Sequence, residues 1–128
     1  MNVENDVATI KKIRLRSRQW IENEQGKVLM GEGRARILEL IDATGSINKT
    51  AKELGMSYRG VWGKLKATED ALGMKFVHSE GKSGSRLTPE GKNFLKRYQI
   101  FKNRCLDTEN KLFDEIFHPE KPMADETA

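Results

Sequence analysis

One cysteine in 128 residues, Cys105, has no partner for an internal disulfide, and the only histidines, His78 and His118, do not stand with it at metal-ligand spacing. A structural zinc site is therefore not expected, and no cofactor is implied. Apolar runs are only a few residues long, against the roughly 20 that a membrane helix needs, and Met1 to Lys12 holds no signal-peptide core. That predicts a cytoplasmic protein with no membrane partner. A phosphate-cradling P-loop is missing, neither histidine lies in a nucleophile motif, and the acids are scattered over helix surfaces, so an enzyme is the weakest class.

What is present is charge and periodicity. Basic residues outnumber acidic ones by 23 to 19, a net +4 that suits a polyanionic partner without requiring one. Only 37% of residues are hydrophobic, but they are clustered at regular spacing, which predicts one small folded core rather than general disorder.

Residues 1–12 show no sustained pattern and read as a flexible segment. Ile13 to Glu22 and Lys27 to Met30 flank a polar turn ending in Gly26, which predicts a β-hairpin within 13–31. A period of two along its first strand would put Arg14, Arg16 and Arg18 on one face, either solvated or against a phosphate or acidic partner. Arg34 to Thr44 carries a helical stripe of Ile37, Leu38, Leu40 and Ile41 and stops at Gly45. Ser46 caps a short second helix bearing Ile47, Ala51 and Leu54, which Gly55 ends. Ser57 caps a third, in which Val61, Leu65, Thr68 and Leu72 form the stripe up to Gly73.

Met74 to Val77 reads as a short strand, Ser79 to Ser85 as a glycine-serine loop and Arg86-Leu87 as the start of a returning strand. Thr88-Pro89-Glu90 starts a last helix, with a capping hydroxyl, a proline at the first helical position and an acid near the positive end of the dipole. That helix, 89–117, would be about 42 Å long, more than so small a core can cover. Its apolar positions Phe94, Tyr98, Phe101, Cys105, Thr108 and Leu112 follow a near-heptad, widened by Phe113 and others, which makes pairing with a second copy the economical solution. For Cys105 on that face, buried packing is the default reading and a redox sensor the minority one. Residues 118–128, with two prolines and no apolar period, read as a disordered tail.

The order of elements across 32–88 is that of a winged helix-turn-helix, giving a mainly α fold with small β elements, an N-terminal hairpin and a long dimerisation helix. In such a fold the third helix enters the major groove of duplex DNA, the preceding helix braces against the backbone and the wing touches neighbouring phosphates. Ser57 and Tyr58 offer hydroxyls, Arg59 a bidentate fork for guanine, Lys64 and Lys66 phosphate contacts, and Gly60 and Gly63 close backbone approach. Trp62 either contacts the nucleic acid or is buried against hairpin or wing. Lys82 and Arg86, flanking the wing loop, are candidate phosphate contacts, and His78 beside them is a strand residue whose protonation would add a mild pH dependence. Phe94, Tyr98, Phe101, Cys105, Leu112 and Phe113 are the expected seam between copies.

The run from Gly31 to Trp62, GEGRARILELIDATGSINKTAKELGMSYRGVW, resembles the N-terminal domain of the ModE family of molybdate-responsive regulators. Gly31, Gly33 and Arg34 match its G-x-G-R opening, Thr44 to Ile47 its T-G-S-I joint and Ala51 to Tyr58 its A-K-E-L-G-M-S-Y segment, with Trp62 following. The likeness continues more weakly through Arg86 to Gly91 and covers roughly Arg16 to Leu112. The helix-turn-helix is also similar, more distantly, to that of LysR-type regulators. The resemblance implies a homodimer on a palindromic operator, with recognition falling on Ser57, Tyr58, Arg59, Trp62 and Lys66. Full-length members of that family carry an oxyanion-binding module after the dimerisation helix, whereas this sequence runs only about ten residues beyond it, so a naturally short form without its own molybdate sensing is expected over a piece cut from a longer protein. The rival class is a winged-helix docking module with little affinity for DNA.

Overall fold

The computed structural model describes residues 13–81 and 84–117, so the expected flexible segment 1–12, the tail 118–128 and Lys82 lie outside the described residues. Two compact units divide it: residues 18–100, and residues 13–17 together with 101–117.

In the larger unit a two-stranded antiparallel hairpin, β1 (Ile21–Glu22) and β2 (Val28–Met30), pairs Ile21 with Met30. Gly26, at φ 81°, closes its turn, and the Asn23 side chain accepts from the amides of Gln25 and Lys27. The hairpin is shorter than its sequence pattern implies. β2 ends one residue before Gly31, the cap of α1 (Glu32–Thr44), so no partner backbone is left to pair with residues before Ile21. Residues 13–20 are not a strand, and the expected strand face of Arg14, Arg16 and Arg18 does not form, although all three side chains are exposed.

Helices α1, α2 (Ile47–Leu54) and α3 (Tyr58–Leu72) follow with the expected boundaries at their C-terminal ends. Gly45, Gly55 and Gly73 all stand in the left-handed region there, which closes each helix at little cost only because the residue is glycine. The joint between α1 and α2 is knotted by hydroxyls. Thr44 Oγ1 donates to Leu40 O at 2.7 Å, Thr50 Oγ1 donates to Ser46 O at 2.8 Å, and Ser46 Oγ accepts from Lys49 N at 3.0 Å. The core between the three helices is Ile37, Leu38, Ile41, Ile47, Ala51, Val61 and Leu65, closed by Met30 from the hairpin and Phe76, Val77 and Leu87 from the wing.

The wing is a second antiparallel pair, β3 (Val77–Ser79) and β4 (Ser85–Leu87), with His78 opposite Arg86. Its first strand starts later than expected, because the backbone of Phe76 is held from α3: Glu69 accepts from the amides of Phe76 and Val77 at 2.8 and 3.1 Å. Ser85 N donates to Gly45 O at 2.8 Å, so the wing is bonded to the α1–α2 joint. Helix α4 (Pro89–Phe117) begins as its sequence signals, with Thr88 Oγ1 accepting from Gly91 N at 2.9 Å. Gly91 is buried against the Phe76 backbone, so closely that a Cβ would collide with its carbonyl.

The first part of α4 belongs to this core. Phe94 stacks on Phe76 with ring centroids 5.3 Å apart, and Tyr98, 2% exposed, donates its hydroxyl to Gln19 O at 2.8 Å. Both were expected between copies; the protomer uses them inside itself, because the wing and the chain before the hairpin cover that stretch of the helix. In the smaller unit Ser17 Oγ donates to a Glu109 carboxylate oxygen, and Phe113 and Phe117 stack at 4.9 Å. Phe101 and Leu112 are 55% and 53% exposed, and Cys105 and Phe113 are half-buried.

Candidate nucleic-acid interface

The third helix turns one side inward and one outward by its own period. Val61, Leu65 and Thr68 are buried, and so is Glu69 beside them. The opposite side presents Arg59, Gly63 and Lys66, at i, i+4 and i+7, all exposed. Ser57, in extended backbone geometry, caps the helix by accepting from Gly60 N at 2.9 Å, so one lone pair of its hydroxyl is committed while its proton is still available to donate. Tyr58 follows at 46% exposure in the first turn.

Two of the expected contacts are tempered by the protein itself. Trp62 is half-buried against the hydrophobic core, one position along from the buried Val61, so only part of its ring faces outward. Lys66 Nζ lies 3.3 Å from Asp70 one turn on, an exposed pair of little intrinsic strength. Lys64 is exposed on the flank of the helix away from Tyr58.

On the wing, Arg86 Nη2 stands 3.4 Å from Glu80 Oε2, and His78 Nε2 reaches the same oxygen at 4.0 Å. A cleft of about 610 Å³ opens beside them, lined by His78, Arg86, Leu87, Thr88, Pro89 and Lys92. Lys92 was passed over by the sequence reading, since nothing local ties the first turn of α4 to the wing. Lys49 and Lys52 were passed over too. They alternate with the buried Ile47, Thr50 and Ala51 on α2, and that alternation is the signal that would have placed them outward.

Burial and charge act on two further groups of this unit. Partial desolvation lowers the Arg34 guanidinium from its ordinary value, and its Nε is buried without a hydrogen-bond partner among the described residues. Burial, and then the negative charge of Glu32, raise the Tyr98 phenol. Among the described residues no group of three histidine, cysteine or acidic side chains could hold a metal, and no helix is long and apolar enough to cross a membrane.

Residues 33–92, from the start of α1 to the first turn of α4, match the family model of the bacterial regulatory helix-turn-helix protein, lysR family. The helix-turn-helix of this chain is similar to that of the lysR family. The molybdenum-pterin-binding protein MopB of Rhodobacter capsulatus is 36% identical over 73 residues, and the molybdenum transport protein ModE of Herbaspirillum seropedicae is 31% identical over 75. Those alignments cover 54% and 56% of this chain but 27% and 28% of the relatives, so the chain spans about a quarter of the curated proteins it matches. In fold, the chain is similar to BenM_DBD in its complex with benA site 1 DNA. The TM-score is 0.52 at 20% identity, covering 70% of this chain and 98% of that one. The winged helix-turn-helix expected from the sequence is thus the observed fold, and the ModE-like resemblance is matched by sequence relatives in two bacteria.

Proposed function

We propose that the chain is a sequence-specific, DNA-binding transcription regulator that acts as a homodimer in the cytoplasm and is not an enzyme. The observation that carries this reading is the outward side of α3 within a LysR-type helix-turn-helix. Its first turn exposes Tyr58 and Arg59 directly after the Ser57 cap, where a recognition helix meets base edges.

In this reading Arg59 reads a guanine with its two-pronged fork, and Tyr58 and the free proton of Ser57 hydrogen-bond beside it. Lys64 and Lys66 hold phosphates, with Trp62 adding apolar contact along its exposed edge. Lys82 and Arg86 meet the flanking backbone from the wing, and Lys49 and Lys52 do so from α2. Two copies associate through the part of α4 that carries Phe101, Cys105, Leu112 and Phe113, the exposure of Phe101 and Leu112 supporting that assignment. A two-fold dimer of this kind reads half-sites about 34 Å apart, or a multiple of that.

The test is selection of genomic fragments with the purified chain, followed by Arg59→Ala on the selected duplex. The variant is expected to lose about 1–3 kcal/mol and to relax preference at one base pair per half-site. Equal losses on selected and random duplexes would refute base reading by Arg59, and an absence of salt-sensitive binding by the parent chain would favour a protein-docking module instead.

A further inference from the structure

Glycine within a helix is unfavourable relative to alanine, so its presence calls for a left-handed backbone or a neighbour that leaves no room for a side chain. Of the two glycines in α3, Gly60 has such a neighbour inside the protein: a Cβ there would lie 3.2 Å from Ser57 Oγ, the oxygen that caps the helix, and 3.5 Å from Met56 Cε. Gly63 has none. Its φ is not in the left-handed region, and a Cβ built on it would meet no atom within 4 Å. It stands two residues after the buried Val61 and two before the buried Leu65, about 200° around the helix from each, and therefore faces away from the core.

Arg59 precedes Gly63 by one turn on that side and Lys66 follows it by nearly one, so a gap the depth of a missing side chain lies between two cations. Asp70, paired with Lys66, bounds the gap further along. We propose that Gly63 is where the backbone of α3 comes into van der Waals contact with the duplex, seating a deoxyribose-phosphate edge between Arg59 and Lys66. This deepens the DNA-binding reading above and rests on it. The excluded side chain sets the depth of the helix in the groove, and so whether Tyr58 and Arg59 reach base edges at all.

Gly63→Ala and Gly63→Leu in the full chain, measured for melting temperature and for affinity to a duplex selected from random sequence by the parent chain, test this. The alanine variant is expected to melt about 4 °C higher or more, because it gains helix propensity and meets open space. It is expected to bind the duplex about tenfold more weakly, and the leucine variant more weakly still. Alanine binding as tightly as glycine overturns the proposal, as does a lowered melting temperature, which would reveal an internal reason for the glycine. Equal losses for alanine and leucine also overturn it, since lost backbone freedom is complete at alanine whereas a clash grows with size. A parent chain that selects no duplex overturns the DNA-binding reading itself, and this proposal with it.

Discussion

Glu69 is the residue whose removal should do most damage for its size. The residue is 4% exposed, and one carboxylate oxygen, Oε2, accepts from both Phe76 N and Val77 N, at 2.8 and 3.1 Å. Glu69→Ala would leave two buried amides without acceptors, at about 1–3 kcal/mol each. Against that stands relief from burying a carboxylate whose other oxygen, Oε1, has no hydrogen-bond partner among the described residues, together with a small gain in helix propensity. A net loss of about 2–4 kcal/mol is expected. Glu69→Gln keeps a carbonyl oxygen in place and exchanges charged for neutral hydrogen bonds, so it should cost only about 1–2 kcal/mol. Urea unfolding of the three proteins, with the slope of the transition unchanged, gives the ranking. Amide hydrogen exchange at Phe76 and Val77 gives the mechanism: both should exchange faster in the alanine variant than in the glutamine one. Alanine and glutamine variants of equal stability, or protection of those two amides unchanged in the alanine variant, would refute the reasoning.

On the wing, Glu80 competes with any phosphate for Arg86, so Glu80→Gln should tighten duplex binding about two- to fivefold and steepen its salt dependence. Titrations across a range of salt check this, and unchanged affinity would remove Arg86 from the contact set. Tyr98→Phe removes the hydroxyl bonded to Gln19 O and should cost about 0.5–1.5 kcal/mol at neutral pH. The raised Tyr98 phenol binds its proton more tightly folded than unfolded, so its contribution is complete below the unfolded value, about pH 10, and is lost as pH rises through the folded one. The parent chain should therefore lose stability above about pH 10 more steeply than Tyr98→Phe, as read by unfolding at a series of alkaline pH values.

The helix-turn-helix was legible because its signals are local. Ser46, Ser57 and Thr88 each accept from an amide three residues on, and Gly45, Gly55 and Gly73 end their helices, all as side-chain chemistry within one turn dictates. What was not legible depends on distant partners. The strand pattern of Ile13 to Trp20 is as regular as any in the chain, yet only Ile21 and Glu22 find a partner strand, and alternation cannot reveal where the opposing backbone stops. The heptad spacing of α4 is likewise indifferent to what covers it: Phe94 and Tyr98 meet their own chain, while Phe101 and Leu112 do not disappear from solvent. Glu69 reads as one more surface acid, because the amides that justify its burial lie seven and eight residues on, beyond a glycine turn.

The aim of α3 follows from its polar inward side rather than from its apolar stripe. Val61 and Leu65 bury the helix but, being non-directional, would tolerate small rotations and slides of it. Thr68 and Glu69, consecutive in sequence, do not: Thr68 Oγ1 donates to Leu29 O on β2 at 3.0 Å, while Glu69 accepts from the backbone entering β3. One residue thus registers the helix against the hairpin and the next against the wing, with directional bonds whose geometry fails over a few tenths of an ångström. The outward side carrying Arg59, Gly63 and Lys66 lies opposite Thr68 on the same helix, with Glu69 on the flank between, about 60° around from Lys66. Loss of either bond should therefore change which bases the helix meets before it abolishes binding. Thr68→Val, which keeps shape and removes the donor, offers the gentlest way to see that: a redistributed base preference at affinity near the parent's is the outcome this geometry demands, and a uniform loss over all sequences would show that the bond only stabilises the fold.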